Sequence, residues 1–542
     1  MKTINIHRLA GALLLAGIML TGCTKDNTLT EIVKPEEQKE TVDEFAEVLK
    51  AIDGVRNVEV KTNSGGDETL YYFTFRQLID HSNPDAGTFD QRVSIRFKGY
   101  DKDVVLYTHG YEMSDIERYI PSGLATLLGA NQVSVEHRYF GGSLPEPADK
   151  MKYTYFNAEQ QAYDLHAIVQ ALKQNLFKNN KWGSTGTSKD GMTSGLYAYY
   201  SDLNGWNDID LFVPFCAPFL PGVTTNGQFS CMDTRTGDYQ DLVCGTGYEP
   251  GSVEDIACQR LHDIPKYICT NKVLRDACAK YMLMSNPEVY RKIVDQYNQH
   301  SPMSTGSLEK DVAALSCYTF SNYLFAKFSY VQFPLWAKLV PDPAKAVTDS
   351  KELDHLLTFI TMDQKALIDS LKAMNAQQEA QEETTRSVLT GAYDRFWNYI
   401  KELRSESSTP YYVQAFTELG TAGDSFKHVD GTFLTEEQVR NVCYIFSVQY
   451  RFDGLFQQDK GKLMRNFREW VGTESTQNIV FVYAYNDPWT GGRPDDEAVR
   501  QNPKTTMVID PIAVHNDYFF SSDYYTVETK NAIVDAVNKC MK

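Results

Sequence analysis

Trp182-Gly183-Ser184-Thr185-Gly186-Thr187-Ser188-Lys189-Asp190-Gly191-Met192-Thr193 decides how this chain folds. Residues 181–187 read as a strand and residues 189–200 as a helix, so Ser188 falls on the turn between them. A serine on such a strained turn has an exposed hydroxyl, and the backbone N–H of the next residue points toward whatever that hydroxyl attacks. Small neighbours are needed because strand and helix pack closely there. The spacing fits G-x-S-x-G only in part, since Asp190 holds the last position and Gly191 comes one later. A glycine-flanked turn without chemistry remains open at this point.

Outward from that turn, strands alternate with helices. Residues 104–108, 132–139 and 209–217 read as strands; residues 114–128 and 158–176 read as helices. That rhythm implies parallel β-α-β units with right-handed crossovers. Upstream, residues 41–54 show helical spacing, and residues 69–75 and 91–97 look like an antiparallel entry to the sheet. Downstream the rhythm stops. Residues 221–275 read as loop, with clustered cysteines, and residues 276–460 read mostly as helices, among them 287–297, 313–335, 353–374 and 387–403. The aromatic stretches at 318–320 and 328–330 are expected to be core. Strand character returns at 478–485 and 506–509, and a helix over 532–541 ends the chain. The predicted class is α/β: a parallel-type sheet in two pieces, residues 41–220 and 471–542, interrupted by a largely helical cap at 221–470.

A serine nucleophile needs a base and an orienting carboxylate, which in sheets of this type follow in the order Ser, Asp, His. Asp487 lies just past the predicted strand in Ala484-Tyr485-Asn486-Asp487-Pro488-Trp489, and Pro488 biases it toward an extended or turn conformation. His515 is the one histidine beyond it. Asp517 is an alternative partner for that imidazole, less favoured because it is so close in sequence.

The 542 residues carry a formal charge of −18, which argues against nucleic acid as a partner, since phosphate binding needs a basic surface. At 42% hydrophobic and 12% aromatic, the chain has ample material for a core. Residues 1–22 read as a targeting segment: Lys2 and Arg8 precede a short apolar run, too short to span a membrane. Leu20-Thr21-Gly22-Cys23 resembles the bacterial lipobox. That resemblance implies an acylated Cys23, a tether over residues 23–40, attachment to a membrane without spanning it, and a place in the bacterial cell envelope. Of the ten cysteines, five lie between 231 and 278, which suggests local disulfides, with Cys216 as a candidate free thiol. No tight C-x-x-C spacing, metal constellation or phosphate loop appears, so no metal and no cofactor is implied.

Four segments carry a further resemblance. They are Leu106-Tyr107-Thr108-His109-Gly110-Tyr111, the run from Glu136 to Pro145 (EHRYFGGSLP), the run from Ser184 to Thr193 (STGTSKDGMT), and Asn486-Asp487-Pro488-Trp489. Over about residues 70–220 and 475–520 the chain is similar to the secreted tripeptidyl aminopeptidases. More distantly it resembles the Pro-Xaa carboxypeptidase and dipeptidyl peptidase II family. The resemblance implies an α/β-hydrolase fold and a serine exopeptidase acting on peptide substrates, with Ser188, Asp487 and His515 as its triad. In that reading the N–H groups of Lys189 and Tyr111 form the oxyanion hole. Glu136 is a candidate to hold a substrate ammonium, or it pairs with Arg138 on one strand face. His109 shapes the site or is structural. Asp190 stands where the family has glycine, and its Cβ and charge are expected to crowd the turn. A capped esterase and a catalytically inactive binding lipoprotein remain the alternatives.

Overall fold

Most strands form where alternation or apolar runs predict them; a strand over 55–62 and a hairpin within 221–275 are additions. β1 (Val55–Thr62), β2 (Thr69–Leu78) and β3 (Thr88–Phe97) make an antiparallel meander. β4 (Val104–Thr108) pairs in parallel with β5 (Asn131–Val135) on one side and β6 (Trp182–Thr187) on the other. β7 (Leu211–Phe215), then β10 (Ile479–Ala484) and β11 (Thr505–Asp510), extend the parallel part beyond β6. β3 joins the two parts through antiparallel pairing with β5. The order across the nine-stranded sheet is β1-β2-β3-β5-β4-β6-β7-β10-β11. A separate hairpin pairs β8 (Gly222–Thr225) with β9 (Gln228–Cys231).

This computed structural model describes residues 43–62, 69–113, 121–147, 152–219, 222–225, 228–231, 249–285, 295, 304–311, 313–314, 333–361, 409–420, 432–435, 437–438, 461–485, 487–517, 519–520 and 524–541. Residues 44–542 form one compact unit. Cys23, the aromatic stretches at 318–320 and 328–330, and the predicted helices at 287–297 (Asp295 excepted) and 387–403 lie outside the described residues.

Helices cover both faces of the sheet. α1 (Glu44–Lys50) buries Phe45, Ala46 and Leu49 and sets the Phe45 ring 4.2 Å from that of Phe97. α2 (Gly123–Leu128) begins at Ser122, whose hydroxyl accepts from the Ala125 N–H at 3.2 Å, and ends on left-handed Gly129. α3 (Ala158–Asn175) is capped by Asn157, which accepts from the Gln160 N–H at 2.9 Å. Its apolar stripe, Ala162, Leu165, Ile168, Val169 and Leu172, lies in the main core with Val104, Leu106, Trp182 and Phe481. α4 (Lys189–Asn204) packs against β6 and β7, and the terminal helix α5 (Val527–Met541) buries Ile533 and Val537 among Leu124, Val213 and Val482 on the other face.

Three expectations are corrected. The segment 221–275 is not simply loop: it contains the hairpin and a helix, Val253–Thr270, whose N-cap Ser252 accepts from the Asp255 N–H at 3.2 Å. Cys269 and Cys278, in the stretch expected to hold local disulfides, are buried free thiols, as is Cys216. The strand expected over 132–139 stops at Val135, because Arg138 turns its guanidinium away from the ladder toward Asp164.

The chain enters the parallel sheet at β4, adds β5 on one side, and crosses back to add β6 on the other. The crevice at the carboxyl ends of β4 and β6 is thus the topological switch point, where open α/β sheets bind their ligands. This is the α/β-hydrolase arrangement.

Candidate active site

Ser188 sits between β6 and α4 with φ 61° and ψ −125°, a left-handed backbone that a β-carbon makes unfavourable. Two bonds hold it there. Its N–H donates to the Phe215 carbonyl at 2.9 Å, and its carbonyl accepts from the Met192 N–H at 2.9 Å. Glycines make the turn possible. A Cβ on Gly186 would meet the Asp190 carbonyl carbon at 2.5 Å, and one on Gly191 would lie 2.8 Å from both the Gly186 and Phe215 carbonyl oxygens. Ser188 occupies the N-cap position of α4, yet its hydroxyl does not cap the helix as Ser122 and Asn157 cap theirs.

Beyond β7, the next strand positions a carboxylate. Asp487 follows β10, is buried, and accepts from the Trp489 N–H through Oδ1 at 3.0 Å. Its other oxygen, Oδ2, lies 2.8 Å from Nδ1 of His515. That bond selects the ring tautomer and directs Nε2 away from the carboxylate. His515 follows β11 in a loop anchored at Asp510, which accepts from the Ala513 N–H at 2.7 Å and from the Thr526 N–H and hydroxyl, each at 2.8 Å. Trp489 lies against the imidazole, ring centroids 4.7 Å apart. Asp517, the alternative partner, turns instead to the start of α2 and accepts from the Gly123 N–H at 3.2 Å.

Sequence reasoning missed a structural partner in this group, Cys216. It follows β7 with φ 49°, next to the Phe215 carbonyl that fixes Ser188. Its sulfur, the Asp487 carboxylate and a His515 ring nitrogen lie within 4.8 Å of one another, all buried. The thiol also faces the carbonyls of Val514 at 4.0 Å and Asn516 at 3.8 Å. Burial and the neighbouring Asp487 carboxylate raise its pKa well above the usual thiol range, so it is a neutral donor and a poor metal ligand. The only signal for it in the sequence was a cysteine ending an apolar strand.

At the end of β4, Gly110 and Tyr111 approach the serine turn. Asp190 does not crowd that turn as expected. Its carboxylate accepts from the Gly110 N–H at 2.6 Å and from the Tyr107 hydroxyl at 3.1 Å. Lys189 is buried, donates from Nζ to the Gly110 carbonyl, and lies 4.7 Å from the Phe140 ring and 5.2 Å from that of Tyr111. Burial lowers its pKa to about 7, against the opposing pull of Asp190 and Glu418.

Glu136 is corrected on both counts. It pairs with Arg92, not Arg138, at 2.9 Å. It also accepts from the N–H groups of Met113 at 2.9 Å and Gly142 at 3.0 Å, and from the Ser143 hydroxyl at 2.7 Å. Both oxygens are engaged and fully buried, so Glu136 is committed to its own loop and is not open to a substrate amine. His109, buried at the end of β4, has its imidazole held neutral by desolvation, its pKa lowered to about 3.

Residues 38–234 match the family model described as PS-10 peptidase S37, a span that includes Ser188 but neither Asp487 nor His515. The chain is 28% identical over 451 residues to a prolyl tri/tetrapeptidyl aminopeptidase of Streptomyces mobaraensis, covering 82% of this chain and 74% of that one. A serine protease, vicPb, of Bipolaris victoriae is 36% identical over 80 residues, 13% of this chain and 15% of its own. Among solved structures, a rice cell wall degrading esterase from Xanthomonas oryzae matches with a TM-score of 0.33 and 10% identity, over 91% of this chain and 99% of that one. A likeness this slight adds nothing to the topology itself.

Proposed function

We propose that this serine peptidase belongs to the S37 family and is an aminopeptidase releasing short, tripeptide-type fragments from peptide N-termini through Ser188, His515 and Asp487. The observation that carries this reading is the buried 2.8 Å contact between Asp487 and His515 on the sheet edge that also holds the strained, non-capping Ser188. Support for the exopeptidase class comes from the aminopeptidase relative that aligns over most of the chain.

In the proposed reaction His515 takes the Ser188 proton while Oγ attacks a peptide carbonyl. Asp487 orients the imidazole and stabilises the imidazolium as it forms. The Lys189 and Tyr111 N–H groups hold the resulting oxyanion. His515 then protonates the departing amine, and a water deprotonated by the same imidazole releases the acyl fragment and restores Ser188.

A fluorophosphonate probe should label the wild type and leave Ser188→Ala unlabelled. Activity of Ser188→Ala should fall about 10⁶-fold in kcat, as expected when a triad nucleophile is removed. Chromogenic tripeptides with free N-termini should be cleaved far faster than the same peptides with blocked ones. Equal rates would remove the aminopeptidase assignment, and preference for short acyl esters would replace it with an esterase. Absence of labelling in both proteins would leave a binding lipoprotein.

The Leu20-Thr21-Gly22-Cys23 sequence supports a second element of the proposal, anchoring of the protein to the bacterial cell envelope by acylation of Cys23. Cys23→Ser should move the protein from the membrane fraction to the soluble one. Retention in the membrane would refute that anchor.

A further inference from the structure

The side chains after the serine reach back to one residue. Gly110 donates its N–H to Asp190 Oδ1 at 2.6 Å, and its carbonyl accepts from Lys189 Nζ. Gly110 thus has both backbone polar groups held by the side chains that immediately follow Ser188. No larger residue fits: a Cβ at 110 would lie 2.7 Å from Lys189 Cγ, 2.8 Å from the Lys189 carbonyl carbon and 2.9 Å from the Asp190 nitrogen. The segment before it is pinned as well. The Thr108 hydroxyl donates to the Thr185 and Asp190 carbonyls at 3.2 and 2.9 Å, and the His109 N–H donates to the Val135 carbonyl at 3.1 Å. The Tyr107 hydroxyl, on the other Asp190 oxygen at 3.1 Å, fixes that carboxylate in turn.

The consequence follows from peptide geometry. In a trans peptide the C=O and the next N–H point in opposite directions. Drawing the Gly110 carbonyl toward the Lys189 ammonium therefore turns the Tyr111 N–H away from it. The ammonium is itself placed by burial and by the Phe140 and Tyr111 rings, 4.7 and 5.2 Å from it.

We propose that Lys189 and Asp190 form a two-point clamp on Gly110 that aims the Tyr111 N–H at the substrate carbonyl oxygen, a positioning role that rests on the Ser188 reading above. Asp190 is then not a damaged glycine position. It supplies, from the nucleophile's own helix, the restraint that keeps the second oxyanion donor in register with the first. A donor misplaced by a fraction of an ångström loses most of its worth in the transition state while barely touching ground-state binding.

The experiment uses the full chain and a free-N-terminus tripeptide substrate. Asp190→Ala should lower kcat about 30-fold, with KM changed less than about threefold. Asp190→Asn retains an acceptor for the Gly110 N–H and should recover most of that loss. Affinity for the matching peptide aldehyde, whose adduct with Ser188 carries the oxyanion, should fall in Asp190→Ala by the same factor as kcat. Tyr107→Phe should fold as the wild type does and lose a few-fold in kcat, so it carries the test if Asp190→Ala fails to fold. Inactive Ser188→Ala together with wild-type kcat in Asp190→Ala, or in Tyr107→Phe, overturns the clamp alone. A fully active Ser188→Ala overturns the mechanism beneath it. A loss confined to KM also refutes the clamp, because orientation of an oxyanion donor acts on the transition state.

Discussion

Two neighbouring regions of the sheet edge bury charge to opposite ends. At the end of β5, Arg138 donates from Nε and Nη2 to the two Asp164 oxygens, each at 2.7 Å, and from Nη1 to the Ile79 and Tyr155 carbonyls, both at 3.0 Å. His81 adds a third contact to Asp164 at 2.7 Å, and Glu136 beside them meets four donors. Every charge there has been answered from within the protein. At the ends of β6, β10 and β11 the groups are not gathered around one charge: Ser188 does not cap its helix, and Asp487 engages His515 through Nδ1. The EHRYFGGSLP stretch, the most specific of the resembling segments, belongs to the closed region. Specificity of a motif thus measures how tightly a fold constrains residues, and chemistry has to be read from the geometry of the site itself.

The sharpest way to break this comparison is to alter one member of a buried charged pair in each region. Asp487→Asn should leave thermal stability nearly intact and lower kcat about 10,000-fold, because the amide favours the wrong imidazole tautomer. Arg138→Met should do the reverse. It strands Asp164 in the core and should cost about 3–5 kcal/mol of stability in urea unfolding, while the molecules that remain folded keep wild-type kcat per probe-labelled site. An Arg138 variant that folds well but loses kcat would show that the closed region takes part in the reaction.

That contrast also explains what could be read from the chain. The β-α-β rhythm, the Ser188 turn and the pairing of Asp487 with His515 were legible, because each rests on local periodicity or on strand connectivity. β1 was not, because its exposed positions give an edge strand too little apolar signal. The end of β5 was missed for another reason. Residues 136–139 alternate as a strand would, and only the distant Asp164 and Arg92 draw Arg138 and Glu136 out of it. The role of Asp190 was illegible for the same cause: its partners, Gly110 and Tyr107, lie some 80 positions earlier. Partners far apart in sequence leave no periodic trace.

Glu136 sharpens the comparison at smaller scale. If its carboxylate serves only the loop, Glu136→Gln should weaken bonds to Gly142 and Ser143 and cost about 1.5–3 kcal/mol of stability, the range for hydrogen bonds to a charged group. Discrimination between free and blocked N-termini, measured as the ratio of kcat/KM values, should not change. A collapse of that ratio would return Glu136 to the substrate.

The smallest effect expected lies at His109, just past β4 and between the two regions. Burial keeps its imidazole neutral, with a pKa of about 3 in the folded state against 6.5 for an exposed histidine. The folded value is the lower one, so the unfolded chain binds the proton first as pH falls. Stability is therefore full above about pH 6.5 and declines below it, by about 2 kcal/mol at pH 5 from this residue alone. His137, also buried and also held neutral, acts in the same direction. His109→Gln has no such titration, so its unfolding free energy should fall less between pH 7 and pH 5, by about that amount. Activity reports the reaction as well as the fold, whereas urea unfolding of the two proteins at each pH isolates the stability difference. Parallel stability curves would mean that His109 already carries its proton in the folded state, and that the wall between the regions is wetter than its burial indicates.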